Sequence, residues 1–210
     1  MAALARLSRI CTIAVAISLT ATLPCVAQSA SDTATPDVKL SAALGGNGVQ
    51  IPGASSDSGG VVAETIWLKG DHVRIDFDGG PRIRGRLLKD GDRTWLLEPR
   101  ANRVLPVAHI PLGSITRLDP AQPCSDLGFV CEHVDDRLIE GRHATGWRFD
   151  RVGRAGPNNT DSGVFWIDAQ YGILLAFKAQ DLDHREYRME TTSIQFSEFP
   201  DNVFALPSSR

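Results

Sequence analysis

Two serines sit in settings that hydrolases use. Ser58 lies in Ser56-Asp57-Ser58-Gly59-Gly60, and the same tripeptide returns as Asp161-Ser162-Gly163. A serine hydroxyl becomes a nucleophile only when a histidine takes its proton, an acid orients that histidine, and backbone N–H groups receive the oxyanion. The first histidine of the chain, His72, follows Ser58, the reverse of the order that this spelling accompanies in serine proteases. A shared-proton pair of carboxylates is the other chemistry available to two Asp-Ser-Gly sites, and it needs apolar strands leading into it. The flanks here, Gly53-Ala54-Ser55-Ser56 and Pro157-Asn158-Asn159-Thr160, read as loops. Both tripeptides are therefore read as turns that feed strands, and no catalytic residue and no enzyme is expected.

Cys124 and Cys131, in CSDLGFVC, are spaced for a local disulfide. A metal site would recruit His133 and Asp135, but with no second Cys or His pair the spacing is poor for zinc. No metal and no cofactor is expected. His184, beside Asp181 and Asp183, reads as an exposed hairpin turn. Arg82, Arg84 and Arg86, with Arg100 and Arg103, alternate against Ile83 and Leu87 and read as a solvated outer face.

These residues are carried by an exported chain. Arg6 and Arg9 precede an apolar run from Ile10 to about Leu19, and small residues at Cys25 and Ala27 complete a secretory signal over residues 1–27. No later stretch is long enough to span a membrane, and Thr22-Leu23-Pro24 fits a lipid-anchor motif poorly. The expectation is a soluble periplasmic protein, with a polar tether over 28–36 and one domain over 37–210. Removing the signal takes two of the 22 basic residues and none of the 25 acidic ones, so the net charge moves from −3 to −5. That balance argues against nucleic acid as a partner.

Beyond the glycine-rich loop over 45–60, turn signals separate alternating stretches, the pattern of antiparallel β-structure. In His72-Val73-Arg74-Ile75-Asp76-Phe77-Asp78, Val73, Ile75 and Phe77 share one face. The hairpin through Asp90-Gly91 is expected to extend that face with Leu87, Trp95 and Leu97. Trp147, Phe149, Leu175 and Phe177 form matching stripes later in the chain. The phase of the last strand slips between Met189 and Ile194, and a bulge near Thr191-Thr192 accounts for it. The proline-broken stretch over 109–136 is expected to hold one or two short capping helices. Roughly nine strands with one apolar face predict a single antiparallel sheet, curled but unclosed.

Two segments point to a family. The run Gly163-Val164-Phe165-Trp166-Ile167-Asp168-Ala169-Gln170-Tyr171-Gly172, followed by Glu198-Phe199-Pro200-Asp201-Asn202-Val203-Phe204-Ala205-Leu206-Pro207, resembles the C-terminal half of the LolA/LolB-like superfamily of periplasmic lipoprotein carriers. The earlier Ile66-Trp67-Leu68-Lys69-Gly70-Asp71-His72-Val73-Arg74 is similar to its paired early strands. The resemblance implies an unclosed β half-barrel whose concave apolar face accepts acyl chains or other hydrophobic ligands. On that expectation Ile75, Phe77, Leu87, Trp95, Leu97, Trp147, Phe149, Leu175 and Phe177 line the ligand face. The lid helices of the carriers have no clear amphipathic counterpart here. The alternative expectation is accordingly an envelope sensor or structural protein that docks another protein through the sheet.

Overall fold

The computed structural model describes residues 35–50, 60–80, 83–98, 103–107 and 117–206. The expected signal peptide, most of the tether, Ser58, Arg82 and Arg100 lie outside the described residues.

Alternation becomes strand wherever the sequence separates its two faces. The strands are β1 (Val38–Gly46), β2 (Gly60–Lys69), β3 (His72–Asp78), β4 (Arg84–Asp90), β5 (Arg93–Glu98) and β6 (Arg103–Pro106), then β7 (Glu132–Ile139), β8 (Arg142–Phe149), β9 (Ser162–Asp168), β10 (Leu174–Gln180) and β11 (Glu186–Phe196). All eleven form one antiparallel sheet in the order β6-β5-β4-β3-β2-β1-β11-β10-β9-β8-β7, which does not close into a barrel. Within each half consecutive strands are neighbours. The first strand pairs with the last, so the two chain ends of the domain meet in the middle of the sheet, while β6 and β7 are its edges.

Tight turns set the register. Asp90 pairs with Arg93, which makes Gly91-Asp92 the two-residue loop, one residue later than expected, with Gly91 at φ +56. Ser41 faces Ser193 while Ala42 faces Thr191, so the bulge predicted from the phase slip falls at Thr192.

One connection must run from edge to edge, from β6 to β7. Beyond Val107 its described part resumes at Arg117, which bridges to Ile173, and Leu118 N–H donates to the Gly172 carbonyl at 3.0 Å. It then forms α1 (Pro123–Asp126), a single short turn opened by Pro123. The Cys124–Cys131 disulfide ties this turn to the residue before β7. The fold is thus the expected curled, unclosed sheet with a short helical cap. The cap ends earlier than predicted, because 132–136 belongs to β7. The 3-10 turns at Pro157–Asn159 and Asp201–Phe204 are the other helical segments among the described residues.

Candidate functional site

Antiparallel register decides which side chains share a face, because residues directly opposite point the same way. One row runs Leu96, Leu87, Ile75, Ile66, Leu40 from β5 to β1. A second runs Gly85, Phe77, Glu64, Ala42, Thr191 from β4 to β11. A third runs Trp147, Phe165, Phe177, Met189, Leu44, Val62 from β8 to β2. These rows are the inner, apolar face of the half-barrel, and most of their members belong to one hydrophobic cluster.

The two halves of this face are filled differently. Over β8 to β11 the wall is sealed: Phe165 and Leu175 are 0% exposed and Phe177 is 2%. Leu118, Cys124, Leu127 and Phe129 of the edge-to-edge connection pack against it. Phe129 stacks at a tilt on Phe149, ring centroids 5.7 Å apart, and Phe149 in turn meets Phe165 at 5.9 Å. Over β3 to β6 the wall is less covered, and Phe77, Leu87, Leu96 and Leu105 keep part of their surface open. Ile75, between the halves, is buried.

The register places Ile75, Phe77, Leu87, Trp147, Phe149 and Phe177 together on the inner face, with Leu175 at the β9–β10 bulge beside them. It does not place Trp95 and Leu97 there. Leu87 pairs with Leu96, and Leu88 pairs with Trp95, so Trp95 and Leu97 lie on the outer face. A two-residue loop at either Asp90-Gly91 or Gly91-Asp92 sets odd-numbered Leu87 opposite an even-numbered residue of β5, so Trp95 and Leu97 could share its face only across a loop with an odd number of residues.

The outer face is held by charge and by the chain's end. Asp76 accepts from Arg74 Nε at 3.0 Å and from Arg86 Nε at 2.6 Å. Burial alone would raise its carboxyl, but the hydrogen bonds and charges of the two guanidinium groups outweigh that and hold it below the usual range. The C-terminal 3-10 turn lies over β3 and β4: Arg74 donates to the Val203 carbonyl at 3.1 Å and Lys69 to the Phe199 carbonyl at 2.7 Å. Trp67, Trp95 and Trp166 each carry an arginine over the ring, at 4.4, 5.3 and 4.7 Å. Of the four tryptophans only Trp147 faces inward. Arg84 pairs with Asp78 and Arg86 with Asp76 on this solvated side, as expected, whereas Arg103 lies opposite Glu98 in the alternation of Leu96, on the inner face rather than the expected outer one, and pairs with it there.

Ser162 opens β9 beside Arg148, Lys178 and Glu186 on an open outer groove of about 530 Å³. His184 occupies an exposed turn at φ +60. Among the described residues no group of three or more His, Cys, Asp or Glu is placed to hold a metal ion. Asp168, fully buried, accepts from Arg142 Nε at 2.7 Å and from the backbone N–H of Tyr171 at 2.7 Å, which locks the β9–β10 hairpin. Gly172 in that hairpin lies so close to the connection that a Cβ would collide with the Leu118 carbonyl oxygen.

Sequence reasoning passed over Glu64. It stands on the inner face between Ala42 and Phe77, with no hydrogen-bond or ionic partner among the described residues, and desolvation pushes its carboxyl from 4.5 up to about 7. The available signal was a glutamate at an inward position of the alternation Val62, Glu64, Ile66, Leu68.

Among solved structures the chain is similar to an uncharacterized conserved protein from Thermus thermophilus, at 7% identity over 83% of this chain and 87% of that one, with a TM-score of 0.54. It is also similar to a chain in the Pseudomonas aeruginosa MucA/MucB complex, at 14% identity and a TM-score of 0.50, where 83% of this chain spans 57% of that one. A LolA superfamily protein from Nitrosomonas europaea matches at 8% identity over 82% of this chain and 91% of that one, with a TM-score of 0.38. At these identities the likeness concerns the fold alone. No family model and no curated protein matches the sequence.

Proposed function

We propose that the protein is an exported, non-enzymatic binding protein that takes an acyl chain or a similar hydrophobic ligand on the less covered stretch of its inner face, over β3 to β6. The observation that carries this reading is the contrast between the two halves of one apolar wall. Where the edge-to-edge connection packs, Phe165, Leu175 and Phe177 are sealed; across β3 to β5, Phe77, Leu87 and Leu96 keep open apolar surface in a row. Covering such surface with hydrocarbon is worth about 0.8 kcal/mol per methylene, which leaves a chain of ordinary length bound after ordering costs. Phe77 and Leu87 keep the ligand-facing role, joined by Leu96, while Ile75 is buried beside them. Trp147, Phe149, Leu175 and Phe177 form the packed floor. Export by a signal over 1–27, with a tether over 28–36, belongs to the same reading, and the disulfide fits an oxidising compartment. Among the described residues no helix is long and apolar enough to cross a membrane.

A second reading has support from the neighbour solved as a MucA/MucB complex: the face receives a segment of an envelope protein. Mass spectrometry of protein purified gently from the periplasm separates the two. Stoichiometric co-purified lipid, displaced by an added acyl probe, is the expected result. A lipid-free protein that neither binds the probe nor carries lipid would replace the ligand reading with the docking one.

A further inference from the structure

An apolar wall that only held hydrocarbon would have no use for a carboxyl at its centre. Glu64 lies in the row Gly85, Phe77, Glu64, Ala42, Thr191, two residues from Val62 and two from Ile66 along its own strand. Buried carboxyls are normally paired, and an unpaired one carries an uncompensated desolvation cost. Among the described residues Glu64 has no such partner, and no charged neighbour contributes to its shift. The charged side chains that share its face stand further out: Lys89, opposite Val73, and Glu98, paired with Arg103.

The flanking positions leave room around it. Ala42 on one side offers a methyl group. Phe77 on the other turns its ring over β4, where a Cβ at Gly85 would run into the ring, so the aromatic leans away from Glu64. Glu64 itself is half-buried, neither sealed like Phe165 nor solvated. A group placed this way can accept a hydrogen bond from something lying on the wall.

We propose that Glu64 is the polar anchor of the inner face and selects amphiphiles whose polar group is a neutral hydrogen-bond donor, a hydroxyl or amide attached to an acyl chain, over those that end in a carboxylate. This rests on the reading of the β3 to β6 wall as a hydrocarbon site. A donor from the ligand satisfies the carboxylate in a desolvated setting, where hydrogen bonds to charged groups are stronger than neutral ones. A ligand carboxylate brings like charge into the same setting, which disfavours binding while both are ionised. Among the described residues the basic groups on this face stand off at Lys89 and Arg103 rather than beside Glu64, and none of them compensates the charge.

The test compares a monoacylglycerol with the fatty acid of equal chain length, each displacing a neutral fluorescent acyl probe at pH 8.5. The wild-type protein is expected to bind the monoacylglycerol at least about tenfold more tightly, about 1.4 kcal/mol. Glu64→Gln, which keeps the shape and removes the charge, is expected to bring the two affinities within about threefold by strengthening the fatty acid. A far-UV circular dichroism spectrum and a cooperative melt like those of the wild type show that Glu64→Gln folds. Equal affinities in the wild type, or the same preference in Glu64→Gln, would overturn the anchor while leaving the hydrocarbon site standing. Absence of any probe binding would overturn both.

Discussion

Replacing Glu64 by Gln removes a carboxyl that desolvation has pushed from 4.5 up to about 7 in the folded protein. A raised folded-state pKa contributes stability that is fully present below about 4.5 and is lost as pH rises through about 7. The change amounts to at most about 3 kcal/mol across that window. In urea titrations the wild type should therefore weaken relative to Glu64→Gln between pH 5 and pH 8.5, and a difference that stays constant with pH would contradict the placement of Glu64. Two residues of the β9–β10 hairpin make a sharper stability test. Gly172 has φ +64 and no space for a Cβ, so Gly172→Ala should cost more than about 2 kcal/mol, from left-handed strain and from the collision with Leu118. Asp168→Ala leaves the backbone N–H of Tyr171 and the partly exposed Arg142 without their buried acceptor and should cost about 2 to 3 kcal/mol. Near wild-type melting of Gly172→Ala would show that the connection does not press on this hairpin, and of Asp168→Ala that the buried pair does not hold it.

Among the elements, β3 was legible because its charged and apolar residues alternate cleanly, and β11 because its phase slip has one economical cause, the bulge at Thr192. The fifth strand was not. Trp95 and Leu97 alternate with Leu96, so either set could face inward, and only whether the loop holds an even or an odd number of residues decides. Glu132–Ile139 escaped recognition as β7 because an edge strand with a bulge between Val134 and Arg137, four acidic or basic residues and an exposed Leu138 lacks the one-sided pattern. The four-residue α1 has no period to read. The Gly91-Asp92 turn makes a test at this scale: Gly91→Val should cost more than about 1 kcal/mol, since φ is positive there, whereas Lys89→Val should cost little. Equal small losses would move the turn. The disulfide supplies another. Cys124 and Cys131 should resist alkylation until reductant is added, and reduction should lower stability by at most about 3 kcal/mol, the entropy of so short a loop.

For the whole molecule, the legible part was the sheet and the illegible part was the division of its inner face. Alternation reveals that a face is apolar; it does not reveal which portion is covered by a distant segment, because that depends on where the edge-to-edge connection crosses. The described part of the connection, from Arg117 onward, meets the sheet at Ile173 and packs beside Phe149, and the stretch of Phe77, Leu87 and Leu96 keeps open surface. The central claim is that this stretch holds hydrocarbon, and adjacent residues of β5 test it most directly. Leu96 points inward beside Leu87, and Trp95 points outward beside Leu88. Titrating a neutral fluorescent acyl probe against Leu96→Asp and Trp95→Asp should show binding lost by at least about tenfold in the first, about 1.4 kcal/mol, and retained in the second. Loss in Trp95→Asp with retention in Leu96→Asp, or equal affinity in both variants and the wild type, would contradict the account.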